Sequence, residues 1–294
     1  MARTAADTAL DEAEKMWLAG ERQQAREAFR RARLLFHEAG DHLGEALALT
    51  QLGDFETETG HPAAAREVYA EARALYAQHG GQCEQAAIVV RLGQLAAREG
   101  DLVKARQCYA SAHELYHAAG DLSGLAHVAK RTGHLERDHD RQDLALDRYN
   151  EALALYTRAG DTLGQAHTLK ATGQLLRQMG HADQSHDRLE KALDLYREAG
   201  DILGEAAASH TLAHLLHHLG DTDGARDALD KARHLFAAAG HLKGEAEVLT
   251  DLGRILTTAD PVRAHSALKR AASLFRRLGD DRTADVEALA GKFF

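Results

Sequence analysis

The stretch HTLAHLLHHLG, residues 210–220, sets His210, His214, His217 and His218 within nine positions. Neutral imidazoles ligate divalent transition metals, and they also exchange protons near neutral pH. On a helix His210 and His214 stand one turn apart, about 6 Å along the axis. That spacing lets two rings share one ion, as in helical His-x-x-x-His sites. His217 extends the stripe, and His167 or His134 would add a donor from elsewhere in the chain. Four uses stay open at this point: metal ligation, proton transfer, part of a binding surface, or a solvated face. The choice depends on the helices that present these side chains and on what lies beside them.

The chain has 294 residues, of which 45% are apolar and 5% aromatic, with only two prolines. Alanine, leucine, glutamate and arginine dominate, which favours helix nearly throughout. No alternating β-branched run reads as a strand. The expected fold class is all-α, with enough apolar residues for a sizeable core. No run of about 18 uninterrupted apolar residues occurs, so no membrane span is expected. Asp7, Asp11, Glu12 and Glu14 stand where a signal peptide needs an apolar stretch, so a cytoplasmic location is expected. Cys83 and Cys108 lie 25 apart without a partner motif, which argues against a disulfide framework or a cysteine zinc site. The formal net charge of −9 argues against a general nucleic-acid coat, although it says nothing about a local patch.

The chain repeats itself. Glycines recur at 40, 80, 120, 160, 200 and 240, then at 279. An aromatic residue precedes each by four: Phe36, Tyr76, Tyr116, Tyr156, Tyr196, Phe236 and Phe275. Gly53, Gly93, Gly133, Gly173 and Gly253 hold a second phase, where Ala213 replaces one glycine. The units are therefore 1–40, 41–80, 81–120, 121–160, 161–200, 201–240 and 241–279. The tail 280–294 reads as a capping helix, with Phe293 and Phe294 covering the last unit or docking elsewhere. Each unit is two helices; in the second they run from about Asp41 to Thr59 and from about Pro62 to His79. Gly40 suits the left-handed end of one helix and Asp41 the cap of the next. Gly53 leaves room for a neighbouring helix. A single helical pair cannot bury its apolar face alone, so the units must stack into a solenoid.

Leu52-Gly53, Ala65, Tyr69 and Ala72, with the Gly-Asp-x-x-Gly-Glu-Ala opening at Gly200–Ala206, resemble the tetratricopeptide repeat family. The 40-residue period is similar to its longer-repeat branch, found in kinesin light chains, spindle-orientation adaptors and bacterial regulators. The first unit departs from the pattern, with Ala13 in place of glycine, and the seventh has a shortened turn near Asp260-Pro261. The resemblance implies a right-handed superhelix whose first helices line a concave face, and it implies protein or peptide binding. It supplies no catalytic residue.

Projected at 100° per residue, the first helix of the sixth unit is expected to bury Ala206, Ala208, Leu212, Ala213, Leu215, Leu216 and Leu219 and to turn Ala207, His210, His214, His217 and His218 to the other arc. The same five phases give His127, Lys130, His134, Arg137 and Asp138 in the fourth unit. They give His167, Lys170, Gln174, Arg177 and Gln178 in the fifth. Among these fifteen positions seven are His, four are Lys or Arg, and Asp138 is the single acid. A solvated face mixes signs, because like charges one turn apart repel. The expected ligand site is therefore a concave groove of His127, Lys130, His134, Arg137, His167, Lys170, Gln174, Arg177, His210, His214 and His217. Val90, Leu47 and Trp17 are expected to form a more apolar N-terminal stretch of the same surface, with packing within the first unit as the alternative for Trp17.

An anionic partner suits that groove best: an acidic protein or peptide, a terminal carboxylate, or a phosphorylated segment. Histidine participation would tighten binding as pH falls from about 8 to about 6. No cofactor is required by this reading. The alternative is a divalent transition metal such as zinc on His210, His214 and His217, opposed by the flanking cations and by the lack of carboxylates. A third reading is an enzyme acting on a small anionic substrate, although no nucleophile–base pairing, phosphate loop or HExxH motif is present. The absence of aromatic stacking residues from the groove argues against nucleic acid. Self-association stays open.

Overall fold

The computed structural model describes residues 2–291. Among them every regular element is an α-helix. The described chain divides into two compact units between His139 and Asp140. The first holds α1 (Ala2–Leu18), α2 (Arg22–Glu38), α3 (His42–Glu58), α4 (Pro62–His79), α5 (Gln82–Arg98), α6 (Leu102–Ala119) and α7 (Leu122–Arg137). The second holds α8 (Gln142–Ala159), α9 (Thr162–Gln178), α10 (Ala182–Ala199), α11 (Ile202–His218), α12 (Thr222–Ala238), α13 (Leu242–Ile255), α14 (Pro261–Leu278) and α15 (Thr283–Ala290). The tail residues Phe293 and Phe294 lie outside the described residues.

Within the first unit α1 packs on α2, α3 on α4 and α5 on α6, and each pair then meets the next helix in the chain. The second unit repeats this with α9 on α10, α11 on α12 and α13 on α14, and α15 covers α14. First helices also touch one another: α5 meets α7, α9 meets α11, and α11 meets α13. Those last contacts bring side chains of consecutive repeats together.

The junctions follow from local chemistry. Gly120, Gly160 and Gly200 take a left-handed conformation at φ near +70° and end their helices. The next residue then caps the following helix: Asp121, Asp161 and Asp201 accept a hydrogen bond from the backbone N–H three residues on. The junction at Gly80 differs. Its backbone is extended at φ −110°, and Glu84 reaches back to accept from the N–H of Gly81.

Two glycine phases set how closely helices approach. A Cβ on Gly44, Gly124, Gly164 or Gly204 would overlap the ring of Phe36, Tyr116, Tyr156 or Tyr196 from the preceding helix. A Cβ on Gly93 would lie 2.7 Å from the ring of Tyr109, and Gly53 stands likewise against Tyr69. The space at Gly53 therefore receives an aromatic ring, not a helix backbone. Ion pairs add to the stacking. Arg26 donates to both oxygens of buried Glu56 at 2.6 and 2.8 Å, and Arg106 does the same to buried Glu136 at 3.0 and 2.7 Å. At the N-terminus Trp17 packs edge-on against Phe29 and Phe55, and Val90 is buried. Trp17 thus takes the packing alternative, Val90 is withdrawn from the expected apolar groove, and Leu47 stays exposed.

Alanine in a helix is favoured over glycine by about 1 kcal/mol. At Gly53 the sign should reverse, because the Tyr69 ring is buried and held by a hydrogen bond to Asp54 at 2.6 Å. Gly53→Ala is expected to destabilise by roughly 1–3 kcal/mol, the usual cost of overpacking. Urea unfolding measures this; a raised midpoint would show that the ring is free to move aside.

Candidate functional site

In the first unit His127, Lys130, His134 and Arg137 all lie on α7. Arg131, one turn from His127, donates through Nε to His127 Nε2 at 3.3 Å. That imidazole nitrogen is an acceptor, so the ring is neutral in this arrangement. Burial, reinforced by Arg131 and Lys130, pushes His127 down to about 4. Burial together with Arg137 and Arg131 pushes His134 down to about 3. Arg137 is itself engaged, donating through Nε and Nη2 to Asp138 at 3.0 and 2.7 Å. Beside them a cleft of about 310 Å³ is lined by Asp54, Arg91, Gln94, His127 and Arg131 among others. Asp54 accepts from Arg91 Nε at 2.8 Å and from the Tyr69 hydroxyl.

The second unit carries the other candidate residues on α9 and α11. His167 Nδ1 meets the hydroxyl of Tyr196 at 2.6 Å, which ties it to α10 of its own repeat. Gln174 donates to Thr211 Oγ1 on α11 at 3.2 Å. Burial pushes the Lys170 ammonium down, against the pull of Asp201. Arg177 Nε is buried without a hydrogen-bond partner among the described residues. On α11, His210 and His214 both reach Asp251 of α13. Their Nε2 atoms stand 2.8 and 3.2 Å from the same carboxylate oxygen, Oδ2. Burial pushes the Asp251 carboxyl up, but the two imidazole hydrogen bonds outweigh it and hold the group well below the usual carboxylate range. The ligand atoms of His210, His214 and Asp251 lie within 4.8 Å of one another, the only such trio of potential metal ligands among the described residues. His217 is exposed and stands outside the trio.

These contacts share a rule. Gln51 donates to Glu14, Arg91 to Asp54 and Gln174 to Thr211, and His214 pairs with Asp251. In each case the partners are 37 residues apart, one repeat less three residues. A side chain on one first helix thus meets the residue one turn back on the next, an offset of about 4.5 Å along the axis. The five phases read from the sequence omit the receiving position, which holds Gln51, Arg91, Arg131, Thr211 and Asp251. The apparent lack of carboxylates on this face is corrected by Asp251. Pairing the 40-residue register at an offset of −3 would have found it.

Histidine-driven tightening between about pH 8 and 6 does not extend to His127 and His134, which are neutral over that range in the free protein. Unfolded histidines titrate near ~6.5. Protonation therefore favours the unfolded chain, and stability is lost as pH falls from about 6.5 towards 4. In the double variant His127→Gln/His134→Gln, urea unfolding should show a smaller loss between about pH 7 and 5 than in the wild type. Imidazole proton resonances should place both titrations below pH ~5; either one titrating above pH ~6 would contradict the burial argument.

Comparison with known proteins bears on the fold. The family model "tetratricopeptide repeat" matches residues 143–198, and that of the soluble NSF attachment protein matches residues 2–114. No curated protein sequence matches the chain. Solved structures that share the fold include a signal transduction ATPase with numerous domains, bearing a tetratricopeptide repeat sensor, from Pyrococcus horikoshii. It is 15% identical with a TM-score of 0.66 over 99% of this chain, and this chain spans 46% of its length. A Rap protein complexed with competence and sporulation factor is 15% identical with a TM-score of 0.65, covering 96% of this chain and 79% of its own. The Rap conjugation gene regulator of plasmid pLS20, in complex with the Phr* peptide, is 16% identical with a TM-score of 0.63, covering 92% and 73%. The repeat model on residues 143–198 and the likeness to these structures across nearly the whole chain show a fold of the tetratricopeptide repeat type.

Proposed function

We propose that this chain is a repeat scaffold that binds a protein or peptide, and that Lys170 and Arg177 of α9 receive an acidic or carboxylate-bearing segment of that partner. The carrying observation is Arg177 Nε, a buried guanidinium donor with no partner among the described residues. Such a donor costs free energy until an acceptor arrives, and a carboxylate matches its fork. Lys170 lies two turns away on the same helix, partly buried, with its charge disfavoured by that burial. An incoming anion relieves both. Gln174 between them already points at the next repeat through Thr211. On α7, Lys130 and Arg137 are cations of the same chemical type in the first unit, where Arg137 is already paired with Asp138. The peptide-complexed Rap regulator, which shares the fold, supports a peptide as the kind of partner.

A peptide array that pairs each acidic sequence with its Glu→Gln and Asp→Asn counterpart tests this. Acidic peptides should bind more tightly, and binding should weaken with salt because part of the attraction is screened. Lys170→Ala/Arg177→Ala should weaken the best binder at least tenfold, since charge-assisted hydrogen bonds contribute about 1.5–3 kcal/mol each. Helicity should be unchanged. Equal binding of acidic and amidated peptides, or a double variant that binds like wild type, would falsify the assignment.

A further inference from the structure

We propose that His210, His214 and Asp251 form a binding site for a divalent transition metal of the zinc type, which staples α11 to α13. The site is independent of the peptide reading, which rests on α9. Its three donors come from two consecutive repeats. His210 and His214 are held one turn apart by the helix, with ring centroids 4.7 Å apart. Both Nε2 atoms converge on one oxygen of Asp251. A tetrahedral ion with bonds of about 2.0–2.1 Å needs donors roughly 3.3 Å apart. Two of the three separations already stand at 2.8 and 3.2 Å, so an ion entering between the rings and the carboxylate requires only small rotations.

The surroundings fit such a site. Arg254 donates to the other carboxylate oxygen, Oδ1, at 3.2 Å, which orients Asp251 while leaving Oδ2 for the ion. Two imidazoles with one carboxylate select zinc and its first-row neighbours over magnesium or calcium, which prefer oxygen alone. His210 and Asp251 are each 19% exposed and His214 is 47% exposed, so the donors are shielded but reachable. His210, Asp251 and Arg254 also line a cleft of about 360 Å³. Three protein donors leave a fourth tetrahedral position for water or an added ligand.

The test uses the full chain without an affinity tag, titrated with cobalt(II) and then with zinc in competition. Cobalt should give one equivalent with the visible absorption of a tetrahedral site, and zinc should bleach it. His214→Ala and Asp251→Asn should each lower affinity more than tenfold, and His217→Ala should not. The exposed His214 ring is the ligand whose loss least disturbs folding, and circular dichroism checks that. Zinc should also raise the melting temperature of wild type but not of Asp251→Asn. No uptake, uptake unaffected by His214→Ala and Asp251→Asn, or uptake lost in His217→Ala would each overturn the site.

Discussion

Glycine lying under an aromatic ring is the contact on which the rest of this protein depends. Phe36 covers Gly44, Tyr116 covers Gly124, Tyr156 covers Gly164 and Tyr196 covers Gly204. Each contact joins the second helix of one repeat to the first helix of the next. The rings are buried, so they contribute to the core and set helix spacing together. A β-carbon at any of these glycines would force the ring out. The helix pairs would then lose the packing that no single pair can supply alone. Gly53, Gly93, Gly173 and Gly253 play the matching part inside the repeat, against Tyr69, Tyr109, Leu189 and Leu268.

Close stacking has a chemical consequence. It lays first helices side by side, so polar groups on them are shared between repeats. Asp54 serves Arg91 and Tyr69, Gln174 serves Thr211, and Asp251 serves His210 and His214. A side chain that looks like a free groove donor in one repeat is commonly engaged by its neighbour. Arg177 Nε lacks such a neighbour among the described residues, which is why it carries the functional proposal. The same stacking buries imidazoles. On α7, desolvation outranks the nearby cations in keeping His127 and His134 neutral. Those rings are built for polar packing more than for sensing pH near neutrality.

Much of the architecture was legible in the residues. Period-40 glycines, the aromatic four before each, and the Gly-Asp junctions mark helix ends, because a left-handed turn and an aspartate cap are local properties. Helix α4 runs from Pro62 to His79, as its proline and turn residues imply. The separation of His210 and His214 from the packing face also follows from periodicity alone. Contacts between repeats were harder to read. Nothing local distinguishes Asp251 from any other helical aspartate, and Val90 looks available until its neighbours are in place.

The amino-acid sequence by itself determined the helices, their ends, the repeat and the face on which each side chain emerges, since all of these are set within a few residues. The tertiary structure decided who meets whom across that face. The three-residue offset between neighbouring first helices is a property of how two surfaces interlock, and it arises only when glycine and ring are packed together. That offset turns the histidines of HTLAHLLHHLG from a stripe on one helix into a pair, His210 and His214, closed by a carboxylate 37 residues beyond the second of them.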